Sequence, residues 1–341
     1  MIGISGMGFY VPARIKTNEE VLFEIRQAIT ESEDVMLKRA WLEKTPEGVV
    51  KTTGVRERRI AAPEEATSDL AIKAAIRALE DSELLPTELD GIIVATTTPD
   101  YSTPATACLV QDKLGATNMK MAPIDINGAC SGSVVALRMA RGLALEGLHN
   151  ILVIGSDVIS RFITPKEPSS YILFGDGAAA VVVGKSKQLE MLKFLGGGDG
   201  SRARNIMMPA GGSRLPNSPE TFIKRQNHLY MNGGAVYRFA IKKFPEIALK
   251  LQNYFLEEEQ DIGLIIPHQA NLKIIEVSRE RLGYSPAKVF VNIDRYGNTS
   301  SPSVLIGLCE ACEQQRVKQG DLIALISFGA GMVWESCLIE A

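Results

Sequence analysis

Ile126-Asn127-Gly128-Ala129-Cys130-Ser131-Gly132-Ser133 decides the fold, because it joins a strand to a helix through a single thiol. Met121 to Ile126 has the pattern of a short buried strand, and Val134 to Leu145 that of an apolar helix. Small residues around Cys130 permit a sharp turn and a close approach of substrate to the backbone. Unpaired N–H groups at a helix N-terminus favour thiolate, so the pattern predicts a nucleophilic cysteine with a lowered pKa. A buried core cysteine is the alternative, and this segment alone leaves both open.

Composition and charge argue against several broad classes of protein. The 341 residues suffice for two domains or one duplicated domain, and 45% hydrophobic with 23% charged residues is ordinary for a globular protein. A net charge of −3 gives no sign of a nucleic-acid or membrane partner. Five cysteines, an odd number, argue against a full disulfide framework, and no apolar stretch is long enough to span a bilayer. The first residues lack a basic region, so we expect no signal peptide and a reducing, cytoplasmic location.

The chain repeats one pattern of strands and turns. In each half a polar, glycine-containing turn precedes a long helix, and these turns hold Cys130 in the first half and Asn298 in the second. The pattern predicts a duplicated α/β unit with halves at 1–186 and 187–341, whose packing would bring Cys130 and Asn298 together. Coincidence among common strand–helix elements is the alternative. The predicted strands are 91–97 and 151–156 in the first half, and 263–267 and 322–327 in the second.

Two polar segments interrupt this pattern. Residues 196–224 are rich in Gly, Pro, Ser and Arg, and we predict a surface loop. An insertion at 26–48 carries many charges, and part of it, at 35–42, has the pattern of an amphipathic helix. A solvated face is the simplest interpretation of those charges.

His268 has the best position for chemistry among the three histidines. It directly follows the apolar strand that ends at Pro267, and α/β active sites usually place their side chains at the carboxyl end of a buried strand. A structural histidine is the alternative. Near the C-terminus, Phe328-Gly329-Ala330-Gly331 ends another strand, where exposed backbone N–H groups are suited to hold an oxyanion, although a tight hairpin would use the same residues.

Several of these motifs together resemble β-ketoacyl-acyl carrier protein synthase III, a condensing enzyme of the thiolase superfamily. The resemblance runs from residue 2 to about residue 340, with the motifs in the same order. It implies a duplicated, five-layered αβαβα thiolase-like fold and a homodimer. The motifs that carry it are Gly128-Ala129-Cys130-Ser131-Gly132, Pro267-His268-Gln269-Ala270-Asn271, Tyr296-Gly297-Asn298-Thr299-Ser300, Phe328-Gly329-Ala330-Gly331, 53–60 and 173–178.

The resemblance assigns Cys130, His268 and Asn298 as a catalytic triad. It implies a fatty-acid-initiating condensation in which Cys130 takes an acyl group from acyl-CoA or an acyl carrier protein. Malonyl-acyl carrier protein then loses carbon dioxide to give an enolate that His268 and Asn298 stabilise. The N–H groups of Cys130 and Ala330 would hold the tetrahedral oxyanion, and no metal or other cofactor is needed. Further residues that the resemblance implies are Gly233 and Asn271 for the pantetheine arm, and Arg238, Lys273 and Arg281 for docking of an acidic carrier protein.

The chain also departs from the family that it resembles. Relatives that use CoA primers hold the adenine with a tryptophan and two arginines, and the matching positions here are Gly48, Thr52 and Pro168. Either the 26–48 insertion supplies a substitute or the acyl donor is not a CoA ester. Thr103 matches the position that reaches the partner's acyl pocket, where a bulky phenylalanine is common. The smaller side chain predicts a primer longer than acetyl, unless another side chain fills the space.

Three rival interpretations remain at this point. A starter-unit ketosynthase or acyltransferase of polyketide or other secondary metabolism would use the same scaffold, and a catalytically silent subunit is a further alternative that the intact triad disfavours. A dinucleotide-binding protein is disfavoured because Val11 and Pro12 replace the third glycine and the helix start after Gly6 and Gly8. The pair Cys309 and Cys312 lacks a second pair, which argues against zinc.

Overall fold

Strands and helices alternate along the chain, as the sequence predicts. The computed structural model describes residues 1–30, 34–186, 188–254 and 261–341. The strands are β1 (Ile2–Tyr10), β2 (Arg14–Thr17), β3 (Glu57–Ile60), β4 (Gly91–Ala95), β5 (Ile124–Ile126), β6 (Ile151–Asp157), β7 (Gly177–Lys185), β8 (Glu190–Gly198), β9 (Ile206–Met207), β10 (Tyr230–Met231), β11 (Ile262–Pro267), β12 (Leu322–Gly329) and β13 (Val333–Glu340). The helices are α1 (Asn18–Ala28), α2 (Val35–Leu42), α3 (Pro46–Thr53), α4 (Thr67–Asp81), α5 (Thr106–Leu114), α6 (Gly132–Leu145), α7 (Pro168–Tyr171), α8 (Pro219–Ile223), α9 (Gly233–Gln252), α10 (Leu272–Arg281), α11 (Ile293–Tyr296) and α12 (Ser303–Glu313).

The strands of the nine-stranded sheet pair in the same pattern in each half of the chain. Their spatial order is β11-β12-β13-β8-β1-β7-β6-β4-β5, and β1 meets β8 at one paired position, Gly3 with Glu190. In the first half β4 is parallel to β6, and β6 is antiparallel to β7. In the second half β11 is parallel to β12, and β12 is antiparallel to β13. The same sequence of parallel and antiparallel neighbours therefore occurs in both halves, while the limits 1–186 and 187–341 stay a prediction.

Alternating residues along the strands divide the core into layers. Ile93 and Ala95 of β4 pack in the cluster that holds the apolar side chains of α6 and α12. Ile92 and Val94, on the opposite face of the same strand, pack against α4 and α5. In the second half, α9 and α10 cover the outer face of β11, β12 and β13. The result is helix, sheet, helix, sheet, helix, with α6 and α12 buried in the central layer.

Two of the predicted boundaries are wrong for local reasons. The strand before Cys130 begins at Ile124 and not at Met121, because Pro123 has no N–H to donate to a ladder. Gly196 to Gly198, predicted as the start of a loop, form the end of β8 and pair with β13. There the indole of Trp334 lies over Gly197, since a Cβ on Gly197 would lie 2.6 Å from the ring atom Cζ2. The glycine-rich composition that suggests a loop serves here to make room for a neighbouring side chain.

The 26–48 insertion contains the predicted helix, which is α2. Asp34 caps it by accepting a hydrogen bond from the N–H of Leu37 at 2.9 Å, and Thr45 caps the following helix α3 in the same way through Gly48. Arg26 Nη2 donates to the carbonyl of Lys44 at 2.8 Å, which ties the end of the insertion back to α1. None of the helices in the described ranges has the length and hydropathy needed to cross a bilayer.

Candidate active site

A cavity of about 550 Å³ opens where the two halves meet. Its wall includes Cys130 from the first half together with His268 and Asn298 from the second. Cys130 and His268 follow the carboxyl ends of β5 and β11, whereas Asn298 follows the short helix α11. The structure therefore brings together the three residues that the sequence analysis selected, although they lie far apart in the chain.

Cys130 occupies a constrained turn between β5 and α6. A short 3₁₀ turn at Ala129–Ser131 connects the two elements, and α6 begins at Gly132. Ala129 has φ of 49°, in the left-handed region that costs about 1–2 kcal/mol for a residue with a Cβ. Gly128 is required here, because a Cβ on it would lie 2.9 Å from the Cα of Gly132. The turn fixes the thiol at the N-terminus of α6, facing the cavity.

The thiol is more basic than its place at a helix N-terminus predicts. Burial raises the pKa of Cys130 to about 12. A hydrogen-bond contact with the Ser300 hydroxyl, at 3.7 Å from Sγ to Oγ, lowers the pKa, and the charge of Asp157 raises it further. The expectation of a lowered pKa was wrong because desolvation of the thiolate outweighs the helix dipole. At physiological pH the group is therefore a neutral thiol.

Alkylation of Cys130 by iodoacetamide should report this pKa directly. Because only the thiolate reacts, the rate should rise about tenfold per pH unit from pH 6 to 10 without reaching a plateau. Peptide mass spectrometry would follow Cys130 separately from the half-buried Cys108. A plateau below pH 8 would contradict the prediction and would favour a thiolate stabilised by the helix.

His268 enters the cavity from the end of β11, at the carboxyl edge of the sheet. Its backbone N–H donates to Ile326 O at 2.8 Å, and its ring packs edge-on against Phe328 with centroids 5.6 Å apart. Burial lowers the pKa of the imidazole to about 3, so the ring is neutral at physiological pH. The Ser303 hydroxyl forms a hydrogen bond with the ring, with 2.6 Å between Ser303 Oγ and His268 Nδ1. If the hydroxyl donates to Nδ1, the ring proton lies on Nε2, on the other side of the ring.

Asn298 is held by the backbone on both sides. Its N–H donates to Leu173 O at 2.8 Å, and its carbonyl accepts from Gly175 N at 3.1 Å. The preceding Gly297 has φ of 66°, and a Cβ there would lie 2.5 Å from Leu173 O. The side-chain Oδ1 accepts from Ser300 N at 2.8 Å, which leaves the Nδ2 amide to donate into the cavity. With its proton on Nε2, His268 joins Asn298 as a second neutral N–H donor of the site.

The hairpin between β12 and β13 passes close to Cys130. A Cβ on Gly329 would lie 2.7 Å from the backbone N of Cys130, so β12 ends against the start of α6. Ala330 follows and lines the cavity. Because β13 begins at Val333, this segment is also the tight hairpin turn that the sequence allowed as an alternative. An oxyanion hole from the N–H groups of Cys130 and Ala330 stays a prediction.

Asp157 is a buried carboxylate that sequence reasoning missed. At the end of β6, its Oδ1 accepts from Thr97 N at 2.8 Å and from Thr98 Oγ1 at 3.0 Å. Its Oδ2 accepts from Ser301 N at 2.9 Å and Ser301 Oγ at 2.7 Å. It thereby joins loops from both halves behind Cys130. Its position at the end of a strand could have marked Asp157 in the sequence. Its structural role depends on hydrogen-bond partners from distant parts of the chain, which the sequence does not reveal.

The remaining predicted residues divide between the cavity and the surface. Gly233, Asn271 and Lys273 line the cavity. Arg238 and Arg281 are exposed on α9 and α10, and Arg281 Nη1 donates to Ile241 O at 2.6 Å. Thr103 is exposed on a loop outside the cavity wall. Among the described residues no cluster of acidic, histidine or cysteine side chains could hold a metal, Cys309 and Cys312 included.

Comparison with known proteins gives one consistent family. The family model described as 3-oxoacyl-[acyl-carrier-protein (ACP)] synthase III matches residues 124–200, and the model of its C-terminal part matches residues 257–341. A β-ketoacyl-[acyl-carrier-protein] synthase III from Caldanaerobacter subterraneus subsp. tengcongensis is 42% identical over 340 residues, covering 99% of this chain and 97% of the relative. Another from Fusobacterium nucleatum is 39% identical, covering 99% and 98%.

Solved structures give the same fold. The 3-oxoacyl-[acyl-carrier-protein] synthase III from Aquifex aeolicus superimposes with a TM-score of 0.84 at 34% identity, covering both chains completely. A priming β-ketosynthase from the R1128 polyketide biosynthetic pathway gives a TM-score of 0.84 at 29% identity, covering 100% of this chain and 96% of the other. The thiolase-like fold predicted from the sequence is confirmed.

Proposed function

The chain belongs to the β-ketoacyl-[acyl-carrier-protein] synthase III family, and from that premise we propose that it catalyses the decarboxylative condensation that initiates fatty-acid synthesis. An acyl thioester primer and malonyl-acyl carrier protein would give a β-ketoacyl-acyl carrier protein, carbon dioxide and the free primer carrier. The observation that carries the proposal is one cavity that holds a thiol beside two neutral N–H donors. This is an acyltransferase chemistry that needs a nucleophile and enolate stabilisation in one place.

In the first step Cys130 takes the acyl group. Its sulfur attacks the thioester carbonyl, the bond from that carbon to the carrier sulfur breaks, and the thiol proton passes to the departing carrier thiolate. The backbone N–H groups of Cys130 and Ala330 would hold the oxyanion between attack and departure. Because burial holds the resting thiol neutral, proton loss must accompany attack and does not precede it.

In the second step the malonyl thioester loses carbon dioxide. Its carbonyl oxygen would accept hydrogen bonds from Nε2 of His268 and Nδ2 of Asn298, which stabilise the enolate formed as the carboxylate carbon–carbon bond breaks. The enolate carbon then attacks the acyl-cysteine, the carbon–sulfur bond to Cys130 breaks, and the departing Cys130 thiolate takes a proton from solvent. Neutral donors suit this role, since burial lowers the pKa of His268 to about 3 and the ring stays uncharged throughout.

We further propose that the enzyme is a cytoplasmic homodimer. The strand β5 ends the spatial order of the sheet and pairs with β4 alone among the described strands. Its half-buried edge is suited to pair with the same strand of a second copy. All five cysteines are free thiols, which fits a reducing compartment. Arg238, Lys273 and Arg281 would face the acidic carrier protein and chiefly set its rate of encounter.

A starter-unit ketosynthase of polyketide metabolism is the second candidate function. The likeness to the R1128 priming β-ketosynthase supports it, as does the apolar wall of the cavity. Apolar side chains of that wall include Ile172, Leu173, Phe174, Leu229 and Met231.

A panel of acyl-CoAs and acyl carrier proteins, each supplied with malonyl-acyl carrier protein, tests both candidates. We expect a β-ketoacyl product and a preference for primers longer than acetyl, because Thr103 of one subunit of the proposed dimer would leave space in the acyl pocket of the other. Thr103→Phe should move the preference toward acetyl by about tenfold, the worth of one or two methylene groups. Strict preference for acetyl in the unchanged enzyme would contradict the pocket assignment. Acyl transfer without carbon dioxide release would contradict condensation.

A further inference from the structure

One buried arginine, Arg58, joins parts of the chain that are distant in sequence. It lies on β3 and its residue is 1% exposed. Nη1 donates to Lys16 O at 3.2 Å, and Nη2 donates to Asn18 Oδ1 at 2.9 Å and to Ile172 O at 2.8 Å. These acceptors are two backbone carbonyls and a side-chain amide, and all of them are neutral. The remaining nitrogen, Nε, is buried without a protein acceptor in the described ranges.

A cation that is buried among neutral acceptors stabilises a fold poorly. Burying a charge is costly unless an opposite charge is paired with it. Burial lowers the pKa of the Arg58 guanidinium only to about 10, so the group is charged at pH 7. Apolar side chains of similar volume often replace buried ionic groups without loss of stability. Packing alone therefore does not account for an arginine at this position.

The carbonyl that Arg58 holds is next to the carbonyl that holds Asn298. Asn298 N donates to Leu173 O at 2.8 Å, and Gly175 N donates to Asn298 O at 3.1 Å. Ile172 O, one residue earlier, is the acceptor of Arg58 Nη2. Because the two carbonyls belong to consecutive planar peptide units, the guanidinium restrains the segment on which the Asn298 backbone rests.

The aliphatic stem of Arg58 packs against the same segment. A Cβ on Gly175 would lie 3.0 Å from Cβ of Arg58, and a Cβ on Gly297 would lie 3.4 Å from that atom. Phe174 forms an isolated parallel bridge with Asn298. Arg58 is thus in contact with the residue immediately before Asn298 and with the segment that pairs with Asn298.

We propose that Arg58 is a positioning residue that acts through Ile172 and Leu173 to hold the side-chain amide of Asn298 in the direction that decarboxylation requires. This inference rests on the proposed function and deepens it, because Asn298 Nδ2 would donate to the enolate oxygen. Arg58 lies outside the cavity wall, so it acts only through its neighbours. A displacement of about 1 Å in a positioned group can slow a reaction about 100-fold.

Arg58→Met tests the proposal when acylation of Cys130 and release of carbon dioxide from malonyl-acyl carrier protein are measured separately. We expect decarboxylation to slow by about 10- to 100-fold, because the amide is no longer held in place. Single-turnover acylation should stay within about threefold, because the proposed oxyanion hole of that step uses backbone N–H groups. A merely structural role would lower both rates together.

Two further variants make this comparison specific. Arg58→Lys keeps the charge but loses the planar fork, and it should slow decarboxylation by about 3- to 10-fold, the worth of about one hydrogen bond. The matched control is Arg141→Met, which removes a half-buried arginine that donates to Met191 O at 2.8 Å and lies outside the cavity wall. The control should leave both rates unchanged. If circular dichroism shows that Arg58→Met does not fold, Arg58→Lys decides the question.

Combination with Asn298→Ala distinguishes positioning from a general loss of structure. If Arg58 acts through Asn298, Arg58→Met should slow the Asn298→Ala enzyme by less than about twofold, because residues that act as one unit are not additive. Losses that multiply would overturn the proposal, and so would equal losses of acylation and decarboxylation. If the unchanged enzyme releases no carbon dioxide, the proposed function and this inference both fail. Release that persists unchanged in the Arg58 variants would refute this inference alone.

Discussion

Replacing Cys130 with alanine is expected to abolish acyl-enzyme formation and to lower condensation by about 10⁴-fold or more, because no other group can carry the acyl chain. Intact-protein mass spectrometry after incubation with acyl-CoAs and acyl carrier proteins would show an adduct on the unchanged enzyme and none on Cys130→Ala. The mass of the adduct would also reveal the chain length of the primer. The alanine is accommodated sterically, so the fold should survive.

Cys108→Ala is the matched control for this experiment. Cys108 is a half-buried free thiol on α5, outside the cavity wall. The control should keep both the adduct and the condensation activity, and circular dichroism should show native secondary structure in both variants. An adduct of equal yield on Cys130→Ala would refute the assignment of the nucleophile.

His268→Ala and Asn298→Ala should each slow decarboxylation of malonyl-acyl carrier protein by about 10²- to 10³-fold, the usual cost of one lost oxyanion donor. Acyl transfer to Cys130 should be affected much less, because the proposed oxyanion hole of that step uses backbone N–H groups. Release of carbon dioxide and single-turnover acylation, measured separately, would resolve the two steps. Loss of acylation with decarboxylation retained would instead make His268 the base that activates Cys130.

Ser303 gives a finer test of how His268 works. If its hydroxyl donates to Nδ1 and keeps the proton on Nε2, Ser303→Ala should slow decarboxylation by up to about 10-fold, because one hydrogen bond is worth about 0.5–1.5 kcal/mol. Ser303→Thr keeps the hydroxyl and should restore the rate. Because the pKa of His268 is lowered to about 3, its ionisation should not limit decarboxylation between pH 5 and 9. A rate that falls as pH drops through 6.5 would show an unshifted histidine.

Patterns of neighbouring residues in the sequence were sufficient to predict those secondary-structure elements and site positions that depend on adjacent residues alone. The strand, the small-residue turn and the apolar helix around Cys130 follow from residues adjacent in the chain, as does His268 at the end of its strand. The helix at 35–42 in the insertion is confirmed for the same reason. The motifs and their order along the chain also identified the family, because each motif combines a required backbone conformation with a functional side chain.

Tertiary structure decided everything that depends on neighbours distant in the chain. The pKa of Cys130 rises because the two halves enclose the thiol, and desolvation has no local signature in sequence. Ser303 reaches His268, and Asp157 reaches Ser301, only after α12 packs between the sheets. The close approach of α3 to α10 needs glycine at position 54, since a Cβ there would lie 2.3 Å from Cβ of Leu272. The sequence alone thus determined which groups could act, while their protonation and partners depend on burial and through-space contact, which folding alone creates.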